Sequence, residues 1–178
     1  MKLVKLNDGK LIIIREAYKV DAMKIVKYID KISSESDNLT FGKGEFGINY
    51  EQEEMYIENI LRQNNSLFII AEDNGKIVGN LTFIGGKRPR IAHVGEFGVS
   101  VIKDYWGNGL GTELINYLIE WSKETNIIRK INLRVRTQNN PAINLYKKMG
   151  FLVEGKITRE MIIEGKFVDT LHMGLEID

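Results

Sequence analysis

Three glycines at alternate positions, Gly107, Gly109 and Gly111, stand between a strand-like run, Val94 to Val101, and a strongly apolar run built on Leu114, Leu118 and Trp121. A strand that enters a helix through such a turn leaves consecutive backbone N–H groups facing outward at the positive end of the helix. That arrangement predicts a cradle for a bulky anion on Trp106, Gly107, Asn108, Gly109, Leu110, Gly111 and Thr112. The turn lacks the Lys-Ser/Thr pair of a nucleoside triphosphate loop and carries Thr112 where a dinucleotide fingerprint has its third glycine, so a pyrophosphate held by amides alone fits better. The plainer alternative is a turn that only packs a helix close to a sheet. A second glycine pattern, Gly42-Lys43-Gly44-Glu45-Phe46-Gly47, matches the dinucleotide pattern literally but follows no strand, and reads as a mobile loop.

The rest of the chain is legible by periodicity. Leu3–Leu6 and Leu11–Ile14 flank Asn7-Asp8-Gly9 as a hairpin, and Ala22, Ile25, Val26, Ile29 and Ile32 recur at helical spacing behind Asp21, placed to cap. Ser33 to Gly47 is polar, and helical patterning returns from Glu51 to Leu61 through Met55, Ile57 and Ile60. Leu67–Ala71, Ile77–Ile84 and Val94–Val101 read as antiparallel neighbours, Ile131, Leu133 and Val135 as a further strand. Asn140 caps a helix whose stripe is Ala142, Leu145, Tyr146 and Met149 and which Gly150 ends. Two strands then close the chain across Glu164-Gly165-Lys166.

Composition excludes several classes. The 178 residues suit one domain over 1–178, and 25 basic against 24 acidic side chains give no bulk attraction to nucleic acid or an anionic membrane. No cysteine is present, which removes a disulfide scaffold and any thiolate nucleophile, and His93 and His172 are too few for a histidine-rich metal cluster. The opening MKLVKLNDGK has neither an apolar core nor a small-residue cleavage site, so the expected compartment is the cytoplasm.

The string Asn139-Asn140-Pro141-Ala142-Ile143-Asn144-Leu145-Tyr146-Lys147-Lys148-Met149-Gly150-Phe151, together with the glycine turn, resembles in order and spacing the two signature segments of the GNAT superfamily of acyl-CoA-dependent N-acetyltransferases. Gly109 and Gly111 match Arg/Gln-x-x-Gly-x-Gly/Ala, and the second pattern, Asn-x-x-Ala-x-x-Leu-Tyr-x-x-x-Gly-Phe, is matched at every specified position; Trp106 stands at the usual Arg/Gln position. The chain looks most like the bacterial branch of ribosomal-protein N-terminal and diamine acetyltransferases. The resemblance implies an α+β fold: a mixed, mostly antiparallel, splayed sheet flanked by helices, whose diverging central strands admit the pantetheine arm of acetyl-CoA. It further implies that the diphosphate sits on Gly107 to Thr112, that the arm pairs with the backbone of Val99, Ser100 and Val101, and that Asn139 hydrogen-bonds the pantetheine; oligomeric state is not readable from the sequence, but paired dimers are common in the family and the C-terminal strands are the candidate interface for a homodimer. No metal is expected.

Acetyl transfer to an amine needs a deprotonated amine and a protonated departing thiolate. Glu96 is the expected base: Val94, Glu96, Gly98 and Ser100 alternate onto a face of small residues where a cleft fits, although a charged strand residue can simply face water; His93 is the reserve on the opposite face. Tyr146, a phenol not far above a thiol in pKa, can supply the proton, with core packing as its plainer reading. Without cysteine or a visible serine or threonine elbow, direct attack in a ternary complex is expected. Lys103, Arg136, Lys147 and Lys148 could meet the adenosine phosphate, and Glu35, Asp37 and Glu45 would suit a cationic acceptor, whether small molecule or peptide terminus. A non-catalytic acyl-CoA sensor on the same fold is the alternative.

Overall fold

The computed structural model describes residues 1–178. The first hairpin, β1 (Lys2–Lys5) and β2 (Leu11–Glu16), buries Val4, Ile12 and Ile14 on its inner face and turns through Gly9 at φ +88°. Helix α1 (Ala22–Ser33) presents the expected stripe, with Ala22, Ile25, Ile29 and Ile32 all buried. Its N-terminus differs from expectation. The Asp21 carboxylate does not cap α1; it accepts from Tyr18 N–H at 2.9 Å, closing the preceding 3₁₀ turn, and takes two bonds from the Arg15 guanidinium at 2.7 and 2.8 Å. The charge partner on β2 outbids the local cap because a bidentate guanidinium pair is the stronger bond for a buried carboxylate.

Helix α2 (Tyr50–Leu61) is opened by a reciprocal Asn49–Gln52 capping box, 2.9 and 3.0 Å. Strands β3 (Leu67–Asp73), β4 (Lys76–Gly85) and β5 (Val94–Val101) follow as antiparallel neighbours, then α3 (Leu110–Thr125), β6 (Lys130–Arg136), α4 (Asn140–Lys148), β7 (Leu152–Ile163) and β8 (Lys166–Glu176). Helix α4 is capped by Asn139, not Asn140: its side-chain oxygen accepts from Ala142 N–H at 3.3 Å. The last hairpin turns through Glu164 and Gly165, both at positive φ, as a two-residue loop requires.

All eight strands join one sheet in the order β1-β2-β3-β4-β5-β6-β8-β7, antiparallel except at β5–β6. This is the mixed, mostly antiparallel α+β sheet expected. Alternation assigns the two faces. Phe68, Thr82 and Gly98 lie in one cross-strand row, and Ile84 pairs Glu96. That face carries α1, through a 2.9 Å Tyr28–Ser100 hydroxyl contact, and α2, through Tyr56 set edge-on to Phe68. The other face carries α3 and α4: Phe83 meets Trp121, and Phe97 meets Tyr146. No helix is long and apolar enough to cross a membrane.

Burial pushes the Asp21 carboxyl up, and the Arg15 hydrogen bonds outweigh it, so the net effect lies below the ordinary carboxylate value of 3.8. A depressed pKa stabilises the fold above the ordinary value and is lost as pH falls through it. Asp21→Asn is expected to cost about 2 kcal/mol at pH 7, measured by urea unfolding, with the difference shrinking below pH 4.

Candidate active site

The parallel ladder between β5 and β6 has only three pairs, Val94–Lys130, Gly95–Ile131 and Glu96–Asn132. Beyond Asn132 the strands part, while β5 stays paired to β4 as far as Val101. Ile102 N–H donates to Val78 O at 3.0 Å and Gly86 N–H to Val94 O at 2.9 Å, so even-numbered residues of β5 direct their main chain to β4. Odd-numbered residues direct theirs into the gap. Of the expected arm-binding residues, Val99 therefore offers free main-chain groups. Ser100 does not: its main chain faces β4 and its hydroxyl donates to Asn80 at 2.6 Å. The Val101 carbonyl is already taken by the Trp106 indole N–H at 2.6 Å. The gap opens into a cleft of about 2070 Å³ that runs through the sheet and is lined from both faces.

At one end of this cleft lies the glycine turn. Gly107 and Gly109 sit at φ +74° and +89°, and Gly109 is the N-cap of α3. None of the N–H groups from Gly107 to Thr112 donates to a protein acceptor; the Asn108 carbonyl, turned the other way, accepts from Asn7 N–H at 3.1 Å and pins the turn to the first hairpin. Six main-chain N–H groups at a helix N-terminus are thus left without protein acceptors, the backbone arrangement anticipated from the glycine spacing. Trp106 contributes by locking the turn to β5 rather than by a cation. Across the cleft, a Cβ on Gly111 would lie 3.8 Å from Leu145, so α3 and α4 approach closely here.

Tyr146 comes from α4 on the same face. Its ring is held edge-on between Phe97 and Phe151, centroids 6.0 and 5.9 Å away, and no protein group bonds its hydroxyl. Burial pushes its pKa up to about 12. Such a phenol stays protonated at neutral pH and acts as a hydrogen-bond donor, but full transfer to an ordinary thiolate is more uphill than the free phenol value suggests. Of the expected α4 stripe, Tyr146 alone is buried and lines the cleft with Ala142 and Leu145, while Met149 packs half-buried on the core; Ile143, outside that stripe, is buried too. Asn139 also lines it; its oxygen serves the helix and its amide N–H₂ remains free to donate.

Glu96, Gly98 and Ser100 line the cleft from the α1/α2 face, as their alternation implied. His93 does not line it. The Glu96 carboxylate accepts from Arg134 Nε at 2.8 Å, and Arg134 also holds Glu160, which takes the Thr170 hydroxyl at 3.0 Å. A carboxylate so paired is already engaged by a cation of the fold. Glu35, Asp37 and Glu45 line the cleft too, but Glu35 accepts from Lys103 N–H at 2.8 Å and Glu45 from Gly42 N–H at 2.7 Å. The loop over residues 34–48 is anchored: Leu39, Phe41 and Phe46 pack on the core, and Arg136 donates to Asp37 O at 2.8 Å. Lys103, Lys147 and Lys148 do not line the cleft, whereas Arg136 does.

One cleft residue escaped the sequence reading. Glu53, in the first turn of α2, is buried to 1% exposure and lines the cleft, and its Oε2 has no hydrogen-bond partner. Desolvation raises its pKa from 4.5 to about 7. The signal was present: Glu53, Ile57 and Ile60 stand at i, i+4 and i+7, so the carboxyl lies on the buried stripe, and Met55, assigned there from its apolarity, is exposed.

A family model described as the acetyltransferase (GNAT) family matches residues 34–151. The L-amino acid N-acetyltransferase AaaT of Escherichia coli is 31% identical over 124 residues, 70% of this chain and 76% of that protein. A spermidine N(1)-acetyltransferase of Vibrio cholerae is 28% identical over 69% of this chain and 70% of its own length. The crystal structure of a GNAT-family acetyltransferase from Streptococcus pneumoniae superimposes with a TM-score of 0.91 at 34% identity, covering 94% of this chain and 99% of that one. A phosphinothricin acetyltransferase from Sinorhizobium meliloti in complex with acetyl-CoA shares the fold at 16% identity, with a TM-score of 0.81 over 93% of this chain and 88% of that one.

The Glu53 carboxyl binds its proton more tightly folded than unfolded, so its stability contribution is complete below pH 4.5 and falls away as pH rises through about 7. Glu53→Gln is expected to raise the melting temperature at pH 8, by differential scanning calorimetry, and to show little difference from the parent at pH 4.

Proposed function

The chain belongs to the acetyltransferase (GNAT) family, and on that footing we propose that it transfers the acetyl group of acetyl-CoA to a primary amine by direct attack in a ternary complex. The acceptor is a small amine, an amino acid or a peptide N-terminus. The observation that carries this reading is the two-sided gap: thiol-side groups reach it from the α3/α4 face and amine-side groups from the α1/α2 face. A reaction between two substrates that each need their own approach fits such a passage.

The cosubstrate supplies an acetyl thioester, and the residues fit it. Outward amides from Gly107 to Thr112 would hold the diphosphate by oriented dipoles without a cationic side chain. The free main chain of Val99 would pair with the arm, and its N–H would donate to the acetyl oxygen as negative charge grows there. Asn139 would donate its amide to the arm. Tyr146 would donate to the sulfur as the carbon–sulfur bond breaks, the apolar surroundings of its ring excluding water from that bond.

The acceptor side is acidic. Glu35, Asp37, Glu45, Glu53, Glu96 and Glu160 line the cleft against Arg134 and Arg136, with no lysine or histidine among the lining residues. A primary amine, cationic at neutral pH, is favoured in such a field. Relatives named for L-amino acids and for spermidine both act on amines, which supports the class. Glu96, held in place by Arg134, would meet the ammonium at the mouth of the gap. A chain without cysteine offers no thiolate for an acetyl-enzyme, which supports direct attack.

Isothermal titration with acetyl-CoA, followed by a thiol-release assay over alkylamines, amino acids and short peptides, tests the reading; binding without amine-dependent release would favour the sensor alternative. Gly109→Ala, forced to keep φ +89°, should weaken acetyl-CoA binding about 10-fold. Tyr146→Phe should lower kcat about 100-fold with acetyl-CoA affinity little changed. With the phenol pKa near 12, the parent enzyme should show no alkaline loss of rate from Tyr146 below roughly pH 10.

A further inference from the structure

The carboxylates of the acceptor side are not equivalent. Glu96 and Glu160 share Arg134, and Glu35 and Glu45 serve backbone N–H groups of the loops they belong to or touch. Glu53 has no cation and an orphan oxygen. A buried carboxyl without a partner is costly, and nothing in the fold repays that cost. Apolar Ile57 and Ile60 continue its stripe into the core, so a leucine or methionine at this position would suit the fold better.

No charged side chain forms a hydrogen bond or ion pair with it. On α2 itself, Tyr56 is the titratable neighbour. Of the elements packed against α2, the 3₁₀ turn brings Lys19, which lies against Glu54 and Glu58, and Asp21, which is held by Arg15. Helix α1 brings Tyr28, bonded to Ser100, while its Lys24 and Lys31 lie against Glu72 and Glu35. Strand β3 presents Phe68 here, and its Glu72 and Asp73 lie at the far end with Arg15 and Tyr105. Desolvation alone moves the Glu53 proton, with no charge partner behind it.

The position is nevertheless connected to the reaction. Tyr56, one turn along α2, stands edge-on to Phe68 with ring centroids 6.1 Å apart. Phe68 heads the row Phe68–Thr82–Gly98, which ends on β5 next to Val99. Gly98 is the open end of that row: a Cβ there would meet nothing within 4 Å. The cleft thus continues from the Val99 main chain, over Gly98 and Thr82, to the Glu53 carboxyl, on the side opposite Tyr146.

We propose that Glu53 is the proton acceptor for the incoming amine: the acceptor's ammonium gives a proton to the Glu53 carboxylate, directly or through water, and the freed nitrogen lone pair attacks the acetyl carbon. This rests on the transfer reading above and refines it. The carbon–sulfur bond breaks as the carbon–nitrogen bond forms, the second proton of the attacking nitrogen passes by way of the Tyr146 hydroxyl to the departing thiolate so that CoA leaves as its thiol, and the proton held by Glu53 returns to solvent when the amide leaves. Glu96, fixed by Arg134, guides the cation. A carboxyl whose pKa desolvation raises to about 7 is matched to this task.

The experiment is a pH profile of kcat/KM from pH 5.5 to 9 for wild type, Glu53→Gln and Glu96→Gln, with n-butylamine, spermidine and L-amino acids as acceptors and acetyl-CoA affinity measured in parallel. Expected are an acidic limb near pH 7 in wild type and Glu96→Gln, and in Glu53→Gln a loss of about 100-fold in kcat/KM with the limb abolished and acetyl-CoA affinity unchanged. The Gln variant keeps the side-chain shape and is expected to be at least as stable as its parent, so the loss will not reflect misfolding. A Glu53→Gln enzyme that keeps rate and limb, or a limb that disappears instead in Glu96→Gln, overturns the assignment and leaves the transfer reading standing. Failure of the wild type to release CoA with any of these amines overturns both.

Discussion

Everything in this molecule that touches chemistry follows from a parallel ladder that stops early. After Glu96 and Asn132, β5 keeps only its β4 partner and β6 only its β8 partner, so one edge of each strand lies unpaired inside the sheet. Unpaired main chain in a sheet interior is costly unless something pairs with it. Trp106 satisfies one group, the Val101 carbonyl, and the Val99 main chain remains open. The same divergence makes a passage through the sheet. Residues that alternation sends to opposite faces, Glu96 to one and Phe97 with Tyr146 to the other, thereby border a common space.

The two ends of that space carry opposite electrostatic characters without help from net charge, which is only +1. At the α3 end, positive potential comes from backbone amides aligned by Gly107 and Gly109 and propped by Asn7. At the α1/α2 end, negative potential comes from carboxylates that outnumber the guanidiniums. Under the proposed transfer a polyanionic thioester and a cationic amine would be drawn to different mouths of one cleft, an ordering that composition alone does not reveal.

Much of this was legible in the chain. Spacing of apolar residues gave the helices and strands within a residue or two, because each buries one stripe or one face, except that β7 runs on to Ile163, three residues past the expected end near Glu160. Gly107 and Gly109 marked the turn because no other residue supports their positive φ so readily, and the amides left without protein acceptors follow from that backbone. The readings that differ share a cause. Asp21 was assigned to the nearest helix end, but a guanidinium from another strand bound it more strongly. Asn139 and Asn140 compete for one cap, and only backbone dihedrals decide between them. Glu53 was hidden because a carboxyl is read as solvent-facing, even when its spacing from Ile57 and Ile60 places it inside. Glu96 lay where alternation put it, while its arginine partner, on another strand 38 residues away, could not be read from local pattern.

Backbone amides, rather than any side chain, are the element on which the functional account stands, and amide chemical shifts report on them one by one. Titrating the ¹⁵N-labelled protein with CoA is expected to move the N–H resonances of Gly107 to Thr112 and of Val99 most, with smaller changes at Asn139 and Leu145. Shifts that cluster elsewhere while those amides stay unmoved would contradict it.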